Sequence, residues 1–65
     1  MQKPQLTEKQ KEVLNLMRQG YKYKEIAHNL RLSIHTVHGH VKTLFNKYGV
    51  DNKIELINRV DTPYK

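Results

Sequence analysis

Cysteine is absent from the 65-residue chain. No disulfide can staple it, and cysteine-based zinc sites and thiol nucleophiles are excluded. Long apolar runs are missing too. Hydrophobic residues stand singly or in pairs such as Val13-Leu14 and Leu16-Met17, far from the roughly twenty in a row that span a bilayer. No apolar stretch follows Met1-Gln2-Lys3-Pro4 as a secretion signal requires, which points to a cytoplasmic protein with no membrane partner. Catalytic furniture is equally sparse. There is no glycine-rich phosphate loop, no nucleophile credibly set beside a base and no cluster of acids, so an enzyme is the poorest reading. His35, His38 and His40 lie close together, but no Cys, Asp or Glu stands nearby to complete a metal site. Nothing in the chain calls for a cofactor.

What the chain has is positive charge, unevenly spread. Twelve Lys and Arg face six Asp and Glu, a formal +6 with pI ≈ 9.8, which suggests an anionic partner. The two ends are nearly balanced. Between residues 18 and 50, Arg18, Lys22, Lys24, Arg31, Lys42 and Lys47 meet Glu25 alone, and Ser33 to Gly49 contains no acid.

Apolar residues recur at helical spacing, and the punctuation marks four helices. Thr7 followed by Gln10 reads as a capping box. Val13, Leu14 and Met17 form an inward stripe, and Gly20 can adopt the left-handed conformation that ends a helix over about 8–19. Tyr23, Ile26, Ala27 and Leu30 make the i, i+3, i+4, i+7 stripe of a short second helix. Ser33 is a natural N-cap for a third. Its stripe of Ile34, Val37, Val41, Leu44, Phe45 and Tyr48 runs to Gly49. Asp51 or Asn52 can cap a fourth helix to about 60. Two helices joined across Arg31 to Ser33 describe a helix-turn-helix, and the small Ala27 suits their close approach.

The segments Leu6-Thr7…Glu12-Val13-Leu14, Gly20…Lys24-Glu25-Ile26-Ala27, Ser33…Thr36-Val37…His40-Val41 and Lys47-Tyr48-Gly49-Val50 resemble, in order and spacing, the LuxR-type (GerE-like) DNA-binding domain. The resemblance implies an all-α, four-helix helix-turn-helix domain over residues 6–60, with 1–5 and 61–65 as flexible termini. It also implies a transcription regulator, here like the minority of members that consist of the domain alone. A prokaryotic, plasmid or phage origin and a nucleoid-associated place in the cytoplasm go with it. The family usually has Ser or Thr capping helix two, where this chain has Lys22, and Asn where it has Tyr23. It usually has Lys or Arg where this chain has His38.

A helix fits the major groove, where base edges present a distinctive pattern of donors and acceptors. In the family the residues matching His38, Gly39 and Lys42 face the bases. The resemblance therefore implies base-edge contacts by His38 and Lys42 and close backbone approach at Gly39, with His35 at the rim. Phosphate contacts need donors around the groove, and Lys24, Ser33, Thr36 and Lys47 are the candidates. Tyr23 is either a further phosphate contact or a core residue. His40 is either a backbone contact or a packed flank. Glu12 and Lys53 match acidic and basic family positions and suggest a salt bridge between helices one and four. The fourth helix pairs two copies in the family, which assigns Ile54, Leu56, Ile57 and Val60 to a homodimer interface. Such a dimer would read an inverted repeat with half-site centres about 10 bp apart. Double-stranded DNA is the expected partner and RNA polymerase a further one. Two other readings remain: a sigma-factor-like promoter-binding domain, which shares several of these segments, and a module that sequesters another regulator through helix four.

Overall fold

The computed structural model describes residues 4–61, the side chain of Asp61 aside. It holds four helices: α1 (Glu8–Arg18), α2 (Tyr23–Leu30), α3 (Ile34–Tyr48) and α4 (Lys53–Asp61). The third is the keystone, packing against each of the other three. Val13, Leu14 and Met17 of α1, Ile26 and Ala27 of α2, Val37, Val41 and Leu44 of α3 and Leu56 of α4 close into one apolar core.

Each helix begins where a side chain satisfies an amide left over by the first turn. Thr7 Oγ1 accepts from the Gln10 amide at 3.2 Å, and Gln10 Oε1 accepts from the Thr7 amide at 3.0 Å. Ser33 Oγ accepts from the Thr36 amide at 3.0 Å, and Asn52 Oδ1 from the Glu55 amide at 2.9 Å. Of the two candidate caps for α4, Asn52 does the work. Lys22 has no acceptor to offer the start of α2. Half of a capping box forms instead, with Glu25 Oε1 accepting from the Lys22 amide at 2.8 Å.

The first three helices end in one way. Gly20 (φ +94), Arg31 (φ +58) and Gly49 (φ +67) take left-handed backbone conformations. The amide of the following residue then bonds back five positions: Tyr21 to Leu16 at 3.1 Å, Leu32 to Ala27 at 2.9 Å and Val50 to Phe45 at 2.9 Å. These are Schellman motifs. Tyr21, Leu32 and Val50 are all apolar in body and pack against the core, so each turn anchors itself as it redirects the chain. Glycine adopts such angles without strain; Arg31 does not, because its Cβ crowds the backbone.

Three expectations need correction. Ile34 does not continue the inward stripe of α3; it sits at the first helical position, where the stripe runs off the end of the core, and is 42% exposed. Leu56 is fully buried inside this chain, so it belongs to the core and leaves nothing for a second copy to cover. Glu12 pairs with Lys9 of its own helix at 3.2 Å, while Lys53 lies with Nζ 5.8 Å from the centre of the Tyr23 ring. The bridge between α1 and α4 is not formed. Ahead of α1, the Gln5 carbonyl accepts a hydrogen bond from Lys47 of α3. Residues 1–3 and 62–65, assigned to flexible termini, lie outside the described residues.

Arg31→Gly is expected to raise the free energy of unfolding by about 0.5–1 kcal/mol, the relief of left-handed strain less the added freedom of the unfolded chain. Urea denaturation measures it. A loss of stability would mean that the arginine side chain compensates for its own backbone.

Candidate functional site

The middle of the chain folds into a ridge. From α3 it takes the outward positions His35, His38, Gly39 and Lys42, all exposed. The caps and turn contribute Ser33 and Thr36, also exposed and joined by a 2.9 Å contact between their hydroxyls. The start of α2 adds exposed Lys24 and half-buried Tyr23. Because α3 buries Val37, Val41 and Leu44, helical geometry at 3.6 residues per turn turns residues 35, 39, 42 and 46 to the opposite side. With no acid between Ser33 and Gly49, nothing on α3 itself neutralises Lys42.

Gly39 stands at the centre of this ridge. Among the described residues, a Cβ built there would meet nothing within 4 Å beyond its own helix backbone and chain neighbours, and Gly39 lies inside the regular α3 helix. No packing need within the chain explains a glycine that costs about 1 kcal/mol of helix propensity relative to alanine. Thr43 Oγ1 donates to the Gly39 carbonyl at 3.0 Å. That hydroxyl is therefore turned back along the helix.

Tyr23 and His38 touch each other. Their ring centres are 5.3 Å apart with planes at 72°, an edge-to-face arrangement of the kind aromatic quadrupoles favour. Burial pushes the Tyr23 phenol above its ordinary pKa. The ring is half-buried and packs against the core, so Tyr23 combines core character with a place on the edge of the ridge. His40 is half-buried on the other flank.

Lys47, a candidate for phosphate, has its ammonium engaged within the chain. Nζ donates to the Gln5 carbonyl at 2.7 Å and to Gln10 Oε1 at 3.0 Å. The same Gln10 oxygen accepts from the Thr7 amide, and Gln10 is the one buried polar residue among those described. Lys47 thereby ties the segment before α1, and the α1 cap, to the end of α3. No local signal in the sequence announces this, because residues 5, 10 and 47 meet only after folding. On α4, Ile54 is 73% exposed and Ile57 and Val60 are half-buried. Among the described residues, no three of His, Cys, Asp and Glu come together as they would around a metal ion, and no helix is long and apolar enough to cross a membrane.

Comparison with known proteins places this geometry. The family described as "Bacterial regulatory proteins, luxR family" matches residues 4–60. The transcriptional regulatory protein UhpA of Salmonella typhimurium is 44% identical over 55 residues, which cover 85% of this chain and 28% of that protein. The transcriptional regulatory protein DesR of Bacillus subtilis is 41% identical over 54 residues, or 83% of this chain and 27% of that one. The chain thus spans little more than a quarter of the length of these curated relatives. Among solved structures, the DNA-binding domain of the Erwinia amylovora RcsB protein superimposes with a TM-score of 0.78 at 40% identity, covering 91% of this chain and 72% of that one.

Lys47→Ala is expected to lower the free energy of unfolding by about 1 kcal/mol through its lost hydrogen bonds, as read by chemical denaturation. Unchanged stability would return Lys47 to the ranks of solvated surface cations.

Proposed function

The chain belongs to the luxR family of bacterial regulatory proteins, and from that premise we propose that it is a sequence-specific regulator whose third helix enters the major groove of double-stranded DNA. The observation that carries this reading is the bare centre of an acid-free helix face: Gly39, with open space where a side chain would stand, flanked by exposed His35, His38 and Lys42. A helix approaching base pairs needs its backbone close at the middle and donors on either side. Lys42 donates well to guanine N7 and O6, and His38 donates or accepts according to its tautomer.

Phosphate oxygens on the groove walls are met by Lys24 at the start of α2 and by Ser33 and Thr36 at the start of α3, where the helix dipole also favours an anion. His40 joins them from its flank, and Lys47 can add only the N–H that its internal bonds leave over. Two copies pair through α4 and present their third helices to an inverted repeat with half-site centres about 10 bp apart. Ile54, 73% exposed, supports this, and Ile57, one turn on, shares its face. The same exposed isoleucine would serve a module that sequesters another regulator. Gel shift against genomic fragments separates the two, since no shift at low salt together with a stable protein complex would favour sequestration.

Three substitutions test the assignment. Lys42→Ala should cost about 1–3 kcal/mol of specific binding and relax sequence preference; an equal loss on all sequences would make Lys42 a phosphate contact. Lys24→Ala should weaken binding uniformly and reduce the salt slope by about one, and an unchanged slope would remove it from the phosphate contacts. Gly39→Ala should stabilise the fold by about 1 kcal/mol while weakening DNA binding in titration. If stability and affinity rise together, the backbone does not approach the groove floor at this point.

A further inference from the structure

A shallow notch of about 230 Å³ opens beside the ridge, lined by Tyr23, His38, Val41, Lys42 and Phe45. Its floor is the buried Val41 and half-buried Phe45, and one wall is the Tyr23 ring held edge-to-face with His38. Lys42 supplies a cation to its lining. An apolar hollow with a cation in its lining suits an apolar group carried on a polyanion. Its mouth is continuous with the base-reading face, because His38 and Lys42 belong to both.

We propose that this notch receives the 5-methyl group of a thymine in the major groove, next to the base pair that Lys42 and His38 contact. The thymine methyl is the one apolar group that the four bases project into that groove, and aromatic or aliphatic side chains are its usual partners. Tyr23 then acts as a positioning residue for His38 and as a wall of the notch, and its hydroxyl is dispensable. The proposal rests on the DNA reading given above and adds to it a preferred base.

The test begins with selection of bound fragments from random DNA. Each thymine of the selected site is then replaced in turn by deoxyuridine, which keeps every hydrogen-bonding group and loses only the methyl. With the unaltered chain, one thymine per half-site should show binding weakened about threefold to fivefold by its replacement, the worth of one buried methyl. Tyr23→Ala should abolish that difference, and Tyr23→Phe, which retains the ring, should preserve it. Circular dichroism checks that Tyr23→Ala is folded, and His38→Ala, at an exposed position, removes a second wall with less demand on the core. A selected site in which no thymine responds would overturn the notch and leave the DNA reading standing. Equal weakening of all sequences by Tyr23→Phe would overturn it too, making the phenol a phosphate contact. Failure to select any sequence would overturn base reading itself, and the notch with it.

Discussion

Three turns govern this small fold, and each depends on one backbone event. A helix ends when a residue swings into the left-handed region, and the amide after it reaches back five positions to a carbonyl that would otherwise face solvent. The residue carrying that amide is Tyr21, Leu32 or Val50, and each packs on the core. Direction and burial are thus fixed together. The middle turn matters most, because it sets α3 against α2 and so decides which side of α3 faces outward. At that turn the strained position is held by Arg31 rather than glycine, at a cost that the Leu32 contact and hydrogen bond must offset.

The cations divide into two populations. Lys47 is committed to the Gln5 carbonyl and to Gln10, and Lys9 and Lys11 face Glu12 and Glu8 within α1. Lys24 and Lys42 stand exposed around α2 and α3, where the sequence holds few acids. Charge of one sign concentrates where the backbone is least obstructed. That coincidence, more than the formal +6 of the whole chain, makes the face suited to a polyanion. The exposed ion pairs on α1 add little to stability; what fastens α1 to α3 is the apolar stripe and the bonds converging on Gln10.

Much of this was legible in the sequence because it is local. Thr7 with Gln10, Ser33 ahead of an apolar stripe, and Gly20 and Gly49 just past helix ends all act within a few residues, and the structure uses each as expected. What escaped is what folding alone brings together. Lys47 looked like any surface lysine, since its partners lie 42 and 37 positions away. Glu12 and Lys53 looked like partners, yet each found a nearer group. On α4, helical spacing sets Leu56 on the inward arc and Ile54 off it, and the structure buries the first and exposes the second. Tyr23 at the head of the α2 stripe was open to both core and surface readings, and the structure gives it some of each. The turn at Arg31 was read from spacing, but not its left-handed conformation, which arginine does not advertise.

Gly39 has a mechanical side as well. A glycine at mid-helix, with a threonine hydroxyl one turn later diverted onto its carbonyl at 3.0 Å, combines two features that loosen a helical rod and let it bend. Both features fall on the same stretch of the third helix. The ends of that helix are fixed by caps, Ser33 at one and Gly49 at the other, so its midpoint is where the sequence places the residues that hold a helical rod least firmly.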